Sequence, residues 1–125
     1  MDLQIENVKK YLVEKEEREN LLRQKERERI ISGLKALGSV WDKHRVRRVY
    51  LYGSFTDMTF HKYSDIDIAI EPDIPFDELL SLFSEVNQSI RREVDVRLLS
   101  ELPFSETVRR SGFIVYERKN SHTEE

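Results

Sequence analysis

The sequence predicts an α/β (α+β) fold, in which a small β-sheet is flanked by helices and follows a long charged N-terminal helix. Runs of alternating or β-branched residues predict strands over 46–52, 65–70, 92–99 and 113–116. Apolar residues at helical spacing predict a helix over 76–89, between the second and third strands. No glycine or proline interrupts the first 32 residues, which are rich in charge and predict a long helix.

The composition is that of a single globular domain with a heavily charged portion. At 125 residues the chain is long enough for one modest core, with 38% hydrophobic and 36% charged residues. A formal net charge of −3 disfavours a general nucleic-acid binder, which would carry a basic surface. The absence of cysteine excludes disulfides and zinc–thiolate sites. With no apolar run of about 20 residues and no signal peptide, we expect a cytoplasmic protein without membrane spans.

The N-terminal helix has a sparse apolar stripe and a nearly uniformly charged second half. Residues at 3–4 spacing form the stripe: Ile5, Val8 and Leu12. Over 14–29 almost every residue is charged, and we place any break of the helix near Asn20. Two interpretations stay open, a solvated helix or a helix whose stripe docks a partner or a second copy of the chain. The heptad pattern is not sustained, which disfavours a coiled coil.

Two further helical segments are predicted to belong to the core. Ile30, Ile31, Leu34 and Leu37 continue a helical face that packs on the sheet. In the helix over 76–89, the inward stripe is predicted to consist of Leu79, Phe83, Val86 and Ile90. His44 lies in the polar connection before the first strand and is predicted to be a surface residue.

The most informative stretch runs from Leu51 to Glu71. A strand ends at Gly53-Ser54, and ten residues later a second strand begins with Asp65-Ile66-Asp67. Residues two apart on a strand share a face, so Asp65 and Asp67 project together. Paired carboxylates suit a hard divalent cation such as Mg²⁺, whereas a glycine-serine turn lets backbone and hydroxyl approach a phosphate. The stretch therefore predicts a site for a metal-bound nucleoside triphosphate.

A third acid stands on the later alternating run over 92–99. Val94, Val96 and Leu98 are predicted to point inward, which leaves Asp95 on the opposite face. If this strand neighbours the strand of Asp65 and Asp67, three carboxylates converge, as a two-metal arrangement requires.

The pattern of Gly53-Ser54, a ten-residue gap, Asp65-Ile66-Asp67 and a later strand aspartate resembles the DNA polymerase β-type nucleotidyltransferase superfamily. Its length and the sequence SDIDIAI over 64–70 make the chain most similar to the minimal nucleotidyltransferases (MNT proteins). The resemblance covers about 30–117 and implies that superfamily's small mixed sheet. It predicts a nucleotidyltransferase domain over 30–117, a charged helical extension over 1–29 and a polar tail over 118–125.

The resemblance also implies roles for these residues. Asp65, Asp67 and Asp95 would be catalytic and would hold two Mg²⁺ ions, whereas Gly53 and Ser54 would bind the phosphates of the substrate ATP. Minimal nucleotidyltransferases of this kind are similar to the antitoxins of HEPN/MNT toxin–antitoxin pairs. The resemblance therefore implies a protein adenylyltransferase antitoxin that transfers AMP from ATP to a tyrosine of a cognate HEPN ribonuclease toxin. A complex through the N-terminal helix, with that partner or with a second copy, is compatible with this hypothesis.

One departure from the family pattern keeps other functions open. Where the family commonly has an Ala-Arg-Gly after the serine, this chain has Thr56-Asp57-Met58, which replaces a cation near the triphosphate with an acid. Lys62 or His61 could supply the positive charge, and the alternative interpretation is that both are solvated loop residues. One alternative is a non-catalytic antitoxin that neutralises its partner by binding. Another is a nucleotidyltransferase that acts on a small molecule.

Overall fold

A computed structural model of the chain describes residues 2–56, 60–61 and 63–118. The helices are α1 (Asp2–Lys35), α2 (Gly38–Lys43), α3 (Phe76–Ile90) and α4 (Ser105–Ser111). The strands are β1 (Arg48–Tyr52), β2 (Ile66–Glu71), β3 (Val94–Leu98) and β4 (Phe113–Glu117). Single 3₁₀ turns span Gly53–Phe55 and Leu99–Glu101. All four predicted strands are therefore present.

The strands form one mixed sheet in the order β3-β2-β1-β4. β1 pairs antiparallel with both β2 and β4, while β2 and β3 pair in parallel. A parallel pair needs a crossover, and α3 provides it between β2 and β3. The predicted fold class, a small mixed sheet flanked by helices after a long N-terminal helix, is confirmed.

One face of the sheet carries the main hydrophobic core. Ile66, Ile68 and Ile70 of β2 are fully buried on this face. They pack with buried residues of α1, α2 and α3, among them Ile30, Leu34, Trp41, Leu82, Val86 and Ile90. Burying a large aliphatic side chain contributes about 1.5–3 kcal/mol, so this layer accounts for much of the folding free energy.

The opposite face carries a smaller apolar cluster beneath α4. It consists of Tyr50, Tyr52 and Ala69 from the sheet with Leu99, Leu102 and Val108 from the segment after β3. This cluster covers only part of the face. The end of the sheet near Asp67 and Asp95 stays accessible, since both residues are only partly buried.

α1 is one unbroken helix of 34 residues, about 51 Å long. The predicted break near Asn20 is wrong. Oppositely charged side chains three or four residues apart stabilise a helix, and such pairs support the charged stretch as one continuous helix. Residues 3–25 are exposed, whereas Ile30 and Leu34 are fully buried. The helix therefore packs on the sheet through its last third. No helix in the described part of the chain has the length and apolar character needed to span a membrane.

Two core predictions are wrong in detail. On α3, Leu82 takes the buried position predicted for Phe83, which is 38% exposed. Phe83 shares its exposed flank with Phe76 and Leu80, since the helix carries two adjacent apolar stripes and only one meets the sheet. His44, predicted on the surface, is buried, and each ring nitrogen is within hydrogen-bond reach of a carboxylate, those of Glu78 and Glu85. Local sequence does not reveal such distant partners.

Candidate active site

Two of the three predicted acids are direct neighbours across the sheet. Asp67 of β2 and Asp95 of β3 are partners in the parallel register, and Tyr52 of β1 is the antiparallel partner of Asp67. Paired residues on neighbouring strands project from the same face. Asp65 precedes β2 by one residue and lies two positions before Asp67. The topology thus brings the predicted acids to one end of one face.

Gly53 allows the turn after β1 to approach Asp67. A Cβ atom on Gly53 would lie 2.3 Å from Oδ2 of Asp67, far inside van der Waals contact. The backbone there has a φ of +70°, which disfavours any residue with a side chain. Glycine is required at this position for both reasons, and its missing side chain leaves room beside the carboxylate.

Ser54 lies within a 3₁₀ helix of one turn over Gly53–Phe55. The turn is closed at Thr56, whose backbone N–H and hydroxyl both donate to the carbonyl of Gly53, at 2.9 and 3.0 Å. The hydroxyl of Ser54 makes no hydrogen bond within the described residues. It is therefore available to donate to a phosphate oxygen. Asp57 and Met58, where the sequence departs from the family pattern, lie outside the described residues, as do the candidate cation Lys62 and the tail beyond residue 118.

The charges at this end of the sheet are unbalanced. Burial raises the pKa of the Asp67 carboxyl, and the negative charges of Asp95 and Asp65 raise it further. Arg97, at 3.1 Å from Oδ2 of Asp95, opposes this effect. Burial and the negative charges of Asp67 and Asp95 raise the pKa of the Tyr52 hydroxyl to about 12. An added cation would relieve the repulsion that these shifts record.

The donor set fits a hard divalent cation. Asp67 and Asp95 offer carboxylate oxygens from adjacent strands, which are the ligands that Mg²⁺ prefers, and Gly53 leaves space beside them. Within the described residues, no three acidic, histidine or cysteine side chains are arranged as a ready set of metal ligands. Asp95 instead pairs with Arg97, which supplies positive charge next to the acids. The residues that could hold the metal are thus Asp67 and Asp95, with Asp65 at the start of the same strand.

A cavity of about 470 Å³ opens on the same face, between the sheet and α4. Tyr52, Gly53, Thr56 and Asp67 line one side. The other side comes from the helix α4 and its flanks, with Phe104, Thr107, Val108, Ser111 and Gly112. Its size lies within the range of small-molecule sites. Sequence reasoning missed these α4 residues, although their spacing of three and four places them on one helical face.

α1 braces both halves of this site. Arg27 donates to the carbonyl of Phe55 at the end of the glycine-serine turn, and its guanidinium lies 4.3 Å from the centre of the Phe55 ring. Arg92 donates to the carbonyl of Ser64, which precedes Asp65, at 2.8 Å and binds Glu26 of α1 at 3.1 Å. Sequence analysis did not identify these positioning contacts, because they join residues 28 or more positions apart.

The family model described as "Polymerase beta, Nucleotidyltransferase" matches residues 35–121. The chain therefore belongs to the polymerase β-type nucleotidyltransferase family, and the resemblance predicted from the sequence is confirmed. No curated protein sequence matches the chain.

Two solved structures share the fold. A crystal structure of a toxin–antitoxin with AMP-PNP superposes with a TM-score of 0.55 at 20% identity, covering 70% of this chain and 74% of that one. A crystal structure of a mutant of the toxin–antitoxin MntA-HpeT superposes with a TM-score of 0.55 at 17% identity, covering 69% and 74%. At this identity the similarity concerns the fold.

Proposed function

We propose that the chain is a Mg²⁺-dependent protein adenylyltransferase and the antitoxin of a toxin–antitoxin pair. The observation that supports this proposal is that Asp67 and Asp95 are paired on adjacent strands, beside the turn at Gly53. The chain that carries them belongs to a nucleotidyltransferase family. The fold is also that of a toxin–antitoxin structure containing an ATP analogue. In the second similar structure, the mutant exchanges two aspartates two positions apart for glutamate, and Asp65 and Asp67 have the same spacing.

In the proposed reaction, an acceptor hydroxyl oxygen attacks the α-phosphorus of ATP and pyrophosphate leaves with the bridging oxygen. Asp65, Asp67 and Asp95 would hold two Mg²⁺ ions, which when bound would neutralise charge on the triphosphate and on the attacking oxygen. Asp95 accepts the proton of the acceptor hydroxyl. Gly53 and Ser54 hold the terminal phosphates, the glycine by close backbone approach and the serine by its hydroxyl. Catalysis then consists mainly of positioning and charge neutralisation.

The acceptor that we propose is a tyrosine of a cognate HEPN ribonuclease toxin. The toxin–antitoxin structures that share the fold support a protein partner. The exposed part of α1 supports it as well, because it presents large apolar side chains to solvent: Leu3, Ile5, Val8, Tyr11, Leu12, Val13, Leu21 and Leu22. Such clustering on an exposed helix marks an interaction surface.

The test is label transfer from α-labelled ATP with Mg²⁺ to a co-expressed HEPN protein. We expect wild type to label the partner, chelation of Mg²⁺ to abolish labelling, and Asp67→Asn to reduce it at least about 10³-fold, because the metal loses a ligand. Asp77→Asn makes the same chemical change at an exposed acid of α3 and should label normally. Full labelling by Asp67→Asn would refute the assignment.

A second candidate is an antitoxin that neutralises its partner by contact alone, favoured by the exposed apolar side chains on α1. It predicts that Asp67→Asn still inhibits the toxin as well as wild type, and that Leu12→Ser and Leu22→Ser do not. Inhibition that requires both ATP and Asp67 supports the enzymatic proposal instead. Label found only on a small molecule would support a metabolite transferase.

A further inference from the structure

A second cavity, of about 730 Å³, shares no lining residue with the cavity beneath α4 and has no role in the proposed chemistry. We define the arginine cavity as the space lined by three segments. α1 contributes Glu19, Leu22, Arg23 and Glu26, the segment before β2 contributes Phe60, His61 and Tyr63, and the end of α3 contributes Arg91 and Arg92. It differs from the cavity beneath α4, whose described lining residues include no basic side chain.

The arginine cavity lies close to the carboxylates. Its wall residue Arg92 donates to the carbonyl of Ser64, which is the residue before Asp65. Arg91 precedes Asp95 by four residues, so the two backbones are at most about 14 Å apart. An extended chain bound in the cavity could therefore reach the acids with about four further residues.

Among the residues that the structure describes, two guanidinium groups on the wall have no carboxylate partner. Arg91 makes no side-chain hydrogen bond or ion pair within the described residues, and Arg23 donates to the neutral side-chain amide of Asn20. Arg92 and Glu26 neutralise each other, and Arg29 also binds Glu26. Glu19 is the remaining acid on the wall. The wall therefore has a net positive charge, and the rings of Phe60 and Tyr63 line the same cavity.

The backbone at Arg91 gives an independent reason to look for a ligand. Arg91 follows α3 in the left-handed conformation, with φ of 58° and ψ of 42°. Glycine is the usual residue there, and a residue with a Cβ costs about 1 kcal/mol. An arginine at this position is therefore unfavourable for stability, which points to a role for its side chain.

These observations together point to an anionic ligand with apolar parts. A guanidinium pairs with two carboxylate oxygens at once, and the neighbouring rings suit apolar side chains. The net charge of −3 and the acids Glu19 and Glu26 on the wall disfavour a polyanion such as RNA. The volume is sufficient for several side chains of an extended peptide.

We propose that the arginine cavity binds an acidic segment of the protein acceptor, adjacent in sequence to the hydroxyl that receives AMP. Arg23 and Arg91 pair with carboxylates of that segment, and Phe60 and Tyr63 contact its apolar side chains. This inference rests on the proposed function, because it assigns a docking site to the acceptor of the transfer. It makes Arg23 and Arg91 determinants of acceptor specificity.

The test compares two variants of equal charge. Arg23→Glu/Arg91→Glu reverses the charge of two cavity residues, whereas Arg47→Glu/Arg110→Glu reverses two exposed arginines, one before β1 and one on α4. In steady-state transfer we expect the cavity variant to raise KM for the protein acceptor at least about tenfold and to leave KM for ATP within about twofold. The control variant should match wild type. Equal acceptor KM in the two variants would overturn the inference.

A binding assay separates this inference from the proposed function. The probe is a fluorescein-labelled peptide with four glutamates around one tyrosine, measured by anisotropy against its lysine counterpart and a single-stranded RNA of ten nucleotides. We expect wild type to bind the acidic peptide and the cavity variant to prefer the lysine peptide. Preference of wild type for RNA would overturn the inference. If wild type transfers no label yet binds the acidic peptide, the proposed function fails and the binding site stands.

The variant Arg91→Gly separates a loss of peptide binding from a loss of folding. Glycine relieves the left-handed backbone, so we expect this variant to be at least as stable as wild type in thermal unfolding. The same variant should bind the acidic peptide several-fold more weakly. Unchanged peptide binding by a stable Arg91→Gly protein would show that the Arg91 side chain does not bind the peptide.

Discussion

One face of the sheet presents only aliphatic side chains from β2, whereas the other presents Tyr52, Asp67 and Asp95 at one end of the strands. On the aliphatic face Ile66, Ile68 and Ile70 are fully buried under α1 and α3. On the other face Asp67 is only partly buried, and its pKa is raised by burial and by neighbouring acids. The aliphatic face stabilises the fold, whereas the repulsion between carboxylates on the other face destabilises it. The following four predictions test this division.

Asp67→Asn should have the largest effect, and only on activity. The at least about 10³-fold loss of label transfer expected above should occur without loss of stability, because the change removes a charge that neighbouring acids repel. The measurement is chemical denaturation without metal, beside the transfer assay. A large fall in the free energy of unfolding would contradict the division between the two faces.

Ile68→Ala tests the residue next to Asp67 in sequence, on the opposite face. We expect a loss of about 2–4 kcal/mol in the free energy of unfolding, because the substitution leaves a cavity beneath the helices. The same change at Ile114 on the edge strand β4, which is 42% exposed, should cost less than about 1 kcal/mol. Label transfer by folded Ile68→Ala protein should stay within a few-fold of wild type.

Gly53→Ala should affect both properties to an intermediate degree. Its Cβ would collide with the Asp67 carboxylate, and the φ of +70° disfavours alanine by about 1 kcal/mol. Displacing the carboxylate should lower label transfer on the order of 10²-fold. The matched control is Gly38→Ala, whose Cβ would meet only the Tyr116 ring at 3.7 Å. Normal transfer by Gly53→Ala would show that the turn does not position Asp67.

Glu26→Gln should have the smallest effect, confined to a range of pH. Hydrogen bonds from Arg29 and Arg92 hold the pKa of Glu26 at about 2, below its ordinary value of 4.5. A lowered pKa in the folded state stabilises the protein above pH 4.5, and this contribution is lost as the pH falls towards 2.

For this partly exposed group we expect wild type to be more stable than Glu26→Gln by about 1 kcal/mol above pH 4.5. The difference should disappear near pH 2, as measured by denaturation at a series of pH values. Glu28→Gln, an exposed acid on the same helix, is the control and should match wild type throughout. A difference that persists at pH 2 would exclude the ion pair as its cause.

Helical periodicity shows the limit of local prediction on α3. The apolar residues predicted a helix over 76–89, and α3 spans Phe76–Ile90. The pattern could not decide which of two adjacent apolar stripes faces the sheet, since both have helical spacing. Packing buries the stripe of Leu82, Val86 and Ile90 and leaves Phe76 and Leu80 exposed. That choice depends on how α3 crosses β2 and β3.

The sequence by itself determined the four strands, the helices α1 and α3, and the family, because strand alternation, helical periodicity and the spacing from Gly53 to Asp67 are properties of neighbouring residues. Only the tertiary structure decided that Asp95 is the register partner of Asp67, that Arg27 braces the turn at Phe55, and that Arg91 borders a cavity. These contacts join residues far apart in the chain, and their partners are chosen by the packing of α1, α3 and the sheet. The pattern of neighbouring residues therefore does not predict which of these distant residues come into contact.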